Sequence, residues 1–241
     1  FATYTGVRIS GVYYDGDQGT VNDRFSWAAY NTFRFGWSPQ TNLLAEISYG
    51  QTNSSGSAGD STNIIGSVGV EHRFSPYSVA IVKVGTQYRD VDGGRDAYYN
   101  PYFESSVRTQ LNEQLSVKAY AKYSVEDYET SQGAIAYDTG QTLRVGLDAI
   151  YQISDRVSLN GGVNYIANDF TDGRDTSVSP NTAAQDADQS LINPFIGFTW
   201  QMTEQVSLNG SYNFTTADAS DNLPFRGYDR NRFQLGVNAS F

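Results

Sequence analysis

The sequence predicts an all-β fold, a closed antiparallel transmembrane β-barrel of about twelve strands that uses residues 1–241 as one domain. Three observations predict it. Apolar and polar residues alternate with period two along the whole chain and show no helical period. Charged residues inside the alternating segments fall on one side only. The connections between segments alternate between short and long.

The alternating segments lie near 3–14, 24–37, 42–52, 62–74, 78–90, 97–111, 114–126, 141–153, 156–168, 190–202, 205–216 and 229–241. Each is long enough for a tilted strand to cross a bilayer, which takes about 9–11 residues. The last segment shows the pattern most plainly. Phe233, Leu235, Val237, Ala239 and Phe241 alternate with Gln234, Gly236, Asn238 and Ser240. In the segment before it, Val206, Leu208, Tyr212 and Phe214 alternate with Ser207, Asn209, Ser211 and Asn213.

Tight turns follow the even-numbered segments, at residues 38–41, 75–77, 112–113, 154–155 and 203–204. Longer connections rich in Gly, Asp, Ser, Thr and Asn follow the odd-numbered ones, the longest at 169–189. An even strand count places both termini on the short-turn side. The first and last strands can then pair and remove the open edges that hydrocarbon does not tolerate.

Hydropathy by itself misleads. The mean is −0.46 and hydrophobic residues make up 39%. No run approaches the roughly 20 apolar residues of a membrane helix, but inward polar residues hide a barrel's outward apolar ones in any average. The sequence has no cysteine, so disulfides and thiolate metal sites are excluded. A net charge of −10 argues against nucleic acid as a partner. No basic-plus-apolar signal segment opens the chain, so Phe1 is expected to begin a mature or trimmed form.

The alternation places Phe25, Trp27, Phe33, Phe35 and Trp37 outward on the second segment. It places Ile192, Pro194, Ile196, Phe198, Trp200 and Met202 outward on the tenth. No charged residue falls outward in a segment interior. Arg8, Arg24, Arg34, Arg73, Lys83, Arg89, Arg108, Lys118, Lys122, Arg144 and Arg232 fall inward, with Glu46, Glu71, Glu104, Glu126 and Asp148. Lipid enforces such one-sidedness, because a midplane Arg or Lys facing it costs about 2–4 kcal/mol. Trp37, Phe74 and Trp200 on the turn side, and Phe25, Tyr88, Tyr99 and Phe214 nearer the loops, form the interfacial belts a bilayer favours. A soluble sandwich, with its exposed face polar, requires neither belts nor alternating turn lengths.

On these residues the chain resembles the bacterial outer-membrane β-barrel superfamily. The terminal segment ending in Phe241 is similar to that superfamily's assembly signal, which the barrel assembly machinery reads. Phe35-Gly36-Trp37-Ser38-Pro39 and the stretch from Tyr151 to Tyr165 resemble the β-barrel porin 2 group, which accompanies exopolysaccharide export systems. The layout is also similar to twelve-stranded channels for acidic sugars. The resemblance implies a Gram-negative outer-membrane location, periplasmic termini, and lipid and lipopolysaccharide as surroundings.

The inward residues number eleven bases against five acids, while the loops are acidic, with Asp15, Asp17, Asp60, Asp90, Asp92, Asp172 and Asp175 among them. One reading is a porin whose basic lumen favours anionic solutes such as acidic oligosaccharides, because a low-dielectric wall focuses the field of like charges. Tyr4, Tyr14, Tyr30, Tyr102 and Tyr120 would offer rings to sugar faces. A plainer reading has Arg–Glu pairs and tyrosines plugging a narrow barrel. A further alternative is a non-conducting scaffold or accessory of a polysaccharide secretion assembly. Asp169–Asp175 lacks the ligand spacing of a calcium-binding helix–loop–helix, so a solvated loop is expected. No cofactor, metal site or enzymatic activity is expected. His72 is the single histidine; alternation turns it outward near the turn-side end of the fourth segment, and no Ser–His–Asp constellation can form around it.

Overall fold

The structure is a computed structural model that describes residues 1–13, 23–54, 60–92, 97–131, 135–171, 174–175, 182–183, 186–220 and 227–239. Every regular element among them is a strand: β1 Ala2–Val12, β2 Arg24–Ser38, β3 Thr41–Ser54, β4 Ser61–Ser75, β5 Ser78–Val91, β6 Tyr98–Gln110, β7 Leu115–Ser131, β8 Ile135–Ser154, β9 Val157–Phe170, β10 Arg174–Asp175, β11 Thr182–Ala183, β12 Ala187–Gln201, β13 Val206–Ala219 and β14 Tyr228–Ala239. The twelve long strands match the twelve sequence segments. They form one sheet in chain order, with β9 beside β12. By contacts the residues gather into two units. One holds Phe1–Arg73, Ile81–Glu104 and Tyr123–Val125; the other holds Phe74–Ala80, Ser105–Lys122 and Glu126–Phe241.

The five short turns share one device. In each, a side-chain oxygen accepts backbone N–H groups two or three residues further on, as short polar turn residues do. Ser38 Oγ accepts from Gln40, Ser75 Oγ from Tyr77 and Ser154 Oγ from Arg156. Asn112 Oδ1 accepts from Gln114 and Leu115 at 2.9 and 2.8 Å. Thr203 Oγ1 accepts from Gln205 and Val206.

Cross-strand register fixes the faces, because directly opposed residues point the same way. In the first unit Arg8 opposes Ala28, Tyr30 opposes Gly6 and Ser48, and Glu46 opposes Thr32 and Ser67. The other face pairs Ile9 with Trp27, Phe35 with Leu43, and Leu43 with Val70. In the second unit Ile196 opposes Gly161 and Tyr212, and Phe198 opposes Leu159 and Gly210. These apolar faces are bare: Phe233 and Leu235 are 78% and 76% exposed. Ile196→Arg, which puts a charge in the middle of the apolar face, is expected to cost about 2–4 kcal/mol in lipid. Urea unfolding of the vesicle-inserted protein checks this, against a far smaller loss for a charge placed opposite on the polar face.

Aromatic rings lie over glycines on both faces. Room for a side chain at Gly6, Gly140, Gly162 and Gly210 is taken by the rings of Tyr30, Phe170, Phe195 and Phe198, each on the residue directly opposite. The ring shields backbone that glycine leaves uncovered.

The all-β, twelve-stranded antiparallel sheet is the one expected for a barrel, and among the described residues β1 pairs with β2 and β14 with β13. One expectation needs correction. The connection after the seventh segment is not long: β7 runs to Ser131 and β8 starts at Ile135. Residues 127–140 read as a loop because polar residues occupy both sides of the alternation. Their Tyr, Thr and Ile content still suits extended chain. The long connection after β9 also carries two short strands, since Arg174 and Asp175 of β10 pair with Ala136 and Ile135 of β8 and with Ala183 and Thr182 of β11. Tyr14, Asp15, Asp17, Asp172 and the terminal Phe241 lie outside the described residues.

Candidate functional site

The predicted inward residues divide between the units. Arg8, Arg24, Arg34, Arg73, Lys83, Arg89, Tyr30 and Tyr102 belong to the first, and Arg108, Lys118, Lys122, Arg144, Arg232 and Tyr120 to the second.

In the first unit two of the inward bases, Arg34 and Lys83, are held by carboxylates. Lys83 Nζ lies 3.2 Å from both Glu46 Oε2 and Glu104 Oε2. Thr32 donates to Glu46 at 2.8 Å and Tyr102 donates to Glu104 at 2.7 Å. Gly69 gives the Lys83 stem its room. Arg34 pairs with Glu71, whose Oε1 also accepts from Asn42. Arg89 is 2% exposed and Tyr102 is 6% exposed, so in this structure both side chains are covered by the protein itself. Alternation reports which way a side chain points, but not what covers it. Tyr30, packed over Gly6, remains 39% exposed. His72 stands opposite Thr41 on the apolar face and shares a 2.9 Å hydrogen bond with its hydroxyl.

The first unit also contains an unusual joint. Gln87 Nε2 donates to the Val125 carbonyl at 2.7 Å, and the Val125 N–H donates to Gln87 Oε1 at 2.8 Å. A side-chain amide thus satisfies both backbone groups of a residue two strands away. Pro101, which has no N–H, lies in the intervening β6.

The second unit holds an open cavity of about 380 Å³, lined in part by Tyr120, Asn164, Asn193, Asn213, Arg230 and Arg232. Arg144 also reaches it, but its guanidinium engages Glu126, with Nε 3.0 Å from Oε1 and Nη2 on Oε2. Lys122 sits 3.7 Å from the same carboxylate. Tyr120 donates to Asn164 Oδ1 at 2.6 Å, and its ring occupies the space above Gly146. The Lys118 ammonium stands 5.1 Å from that ring, so a cation already occupies the surface expected to stack on sugar.

Arg230 was missed by sequence reasoning. It opposes Thr215 just as Arg232 opposes Asn213, so both face the cavity. Its place beside the acidic loop composition of Asp229 hid a parity that Arg232 already revealed. Among the described residues no carboxylate lies within ion-pair distance of either guanidinium; Arg230 lies 6.0 Å from the Tyr228 ring.

Pro194 sits inside β12, between β9 and β13, where a proline normally breaks the ladder. The flanking pairs, Ile192 with Thr216 and Phe195 with Asn213, put Phe214 opposite it. The Phe214 carbonyl instead accepts from Asn193 Nδ2 at 2.9 Å, and that same nitrogen donates to Thr215 Oγ1 at 2.8 Å. The repair fixes the orientation of an amide in the cavity wall.

Three solved structures are similar to the chain. The OprC copper transporter has 14% identity and a TM-score of 0.55, over 98% of this chain and 42% of that one. The NanC porin has 11% identity and a TM-score of 0.41, over 99% of both chains. BauA, the ferric preacinetobactin receptor of Acinetobacter baumannii, has 13% identity and a TM-score of 0.48, over 98% of this chain and 44% of that one. The chain therefore spans less than half the length of two of these three. The OprC likeness is one of fold. No curated protein matches the chain. The family described as "Putative outer membrane beta-barrel porin, MtrB/PioB" matches residues 100–234, more than half of the chain, from β6 into β14. The chain belongs to this MtrB/PioB family of outer-membrane β-barrel porins.

Proposed function

We propose that the chain forms a closed porin barrel whose lumen favours anionic solutes, acidic oligosaccharides among them. The cavity of the second unit carries this reading. Arg230 and Arg232 stand in its wall with no carboxylate of the described residues to neutralise them. Guanidinium is the cation best shaped for carboxylate, and low-dielectric walls lengthen the reach of its field. Closure follows from the solvent. Hydrocarbon cannot satisfy the edge N–H and C=O groups of β1 and β14, so neither edge is left bare in the membrane, and a closed barrel is the arrangement we propose. The short turns then face the periplasm together with both termini, lipid and lipopolysaccharide surround the apolar face, and the barrel assembly machinery inserts the chain. On this reading the barrel is a conduit and not an enzyme.

A second reading, a non-conducting scaffold or accessory of polysaccharide export, draws on the first unit. There, ion pairs and the Gln87–Val125 joint occupy the polar face. Planar-bilayer recording under a salt gradient separates the two. Stepwise conductance with a reversal potential on the anion side is expected; a silent membrane over verified inserted protein favours the scaffold.

A further inference from the structure

We propose that the cavity between β9, β12, β13 and β14 is a binding site for a hydroxycarboxylate, an anion that also carries hydroxyl donors, and not for a bare anion. The proposal rests on the anion-favouring reading and deepens it.

The charge half of the site is Arg230 and Arg232. They are two residues apart on one face of β14, about 7 Å along the strand, and they oppose Thr215 and Asn213. Two guanidinium forks at that spacing hold one carboxylate between them or side by side with its neighbours.

The second half is Asn193. Both protons of its amide are committed, to the Phe214 carbonyl and the Thr215 hydroxyl. A carbonyl oxygen can only accept, so the amide cannot be reversed. Oδ1 is the atom left to a ligand, and it demands a donor. Asn164 is committed the other way: its Oδ1 takes the Tyr120 hydroxyl, which leaves Nδ2 to donate. Gln234 Oε1 accepts the Ser211 hydroxyl at 3.4 Å, which leaves Nε2 to donate. The wall therefore presents cationic and amide donors around one fixed acceptor.

Chloride or sulfate would meet the arginines but set its lone pairs against Asn193 Oδ1. A neutral sugar would meet Asn193 but leave the guanidiniums unanswered. A hydroxycarboxylate, such as a uronic acid, meets both. The volume of about 380 Å³ lies in the range of small-molecule sites.

Titration calorimetry on the full chain in detergent, with galacturonate, cyclohexanecarboxylate and galactose as probes, tests the proposal. Galacturonate is expected to bind at least tenfold tighter than either of the others. Arg230→Gln with Arg232→Gln should reduce galacturonate to the level of galactose. Asn193→Leu alone strands the Phe214 carbonyl, so it is paired with Pro194→Val, which restores a backbone donor. That double variant should reduce galacturonate to the level of cyclohexanecarboxylate. Equal affinity for the three probes, or galacturonate binding unchanged in either double variant, overturns the site. Reversal potentials of the same preparation separate the two ideas. Anion preference without galacturonate preference sinks the site alone; galacturonate binding without anion preference sinks the pore reading and leaves the site standing.

Discussion

Lys83→Met is expected to lower the stability of the inserted protein by about 2 kcal/mol, a larger loss than the side chain's volume alone explains. The Lys83 ammonium lies 3.2 Å from two carboxylates on different strands. Its side chain is 13% exposed, and those of Glu46 and Glu104 are 18% and 37% exposed. Removing one partner of a fully buried pair costs about 3–5 kcal/mol, because an uncompensated charge is left behind. Partial exposure of the glutamates admits water and reduces that figure. The shift in urea midpoint measures the loss. Adding Glu46→Gln and Glu104→Gln to Lys83→Met should recover most of it, since a neutral cluster has no charge left to desolvate. If the triple variant is as unstable as the single one, the loss is one of packing and the ion cluster is not its cause.

Arg108→Glu combined with Arg232→Glu is expected to shift the reversal potential under a salt gradient from the anion side toward the cation side. Neither arginine has an ion-pair partner among the described residues, so the fields of both are free to act on a passing solute. Each replacement changes the local charge by two. At about 8 Å in water a unit charge contributes about 0.5 kcal/mol, so two reversals raise the free energy of an anion by about 2 kcal/mol and lower that of a cation by as much, a change of about 4 kcal/mol in their difference before screening, which over about one Debye length cuts it to roughly a third. On the order of a tenfold fall in anion-to-cation permeability follows. Arg34→Glu is a poorer probe, because it also breaks the pair with Glu71. Unchanged selectivity in a conducting double variant would refute a basic lumen.

The strands were legible because a bilayer imposes a strict rule: alternate residues must be apolar, and a single charge on the wrong side costs more than most substitutions. Where that rule lapses, so did the reading. The ends of β7 and β8 beyond about residue 126 and before residue 141 are polar on both sides and looked like loop. The two-residue strands β10 and β11 are too short to have a period at all. The site was legible as a direction and illegible as a set of contacts. Parity groups Arg232, Lys118 and Tyr120 on one side, but it does not report the cation over Tyr120 or the burial of Arg89 and Tyr102. Those depend on partners far along the chain. Nothing local to Asn193 and Pro194 reveals that one repairs the other, because the carbonyl that joins them belongs to Phe214.

That repair makes positions 193 and 194 a single heritable unit. A chain that keeps the proline must keep the neighbouring amide, and one that loses the proline is released to change both. Tolerance to substitution at Asn193 is thus set next door, by a residue on the opposite face of the same strand. A mutational scan read one position at a time would score Asn193 as structural and Pro194 as neutral, and would miss that the second is the reason for the first.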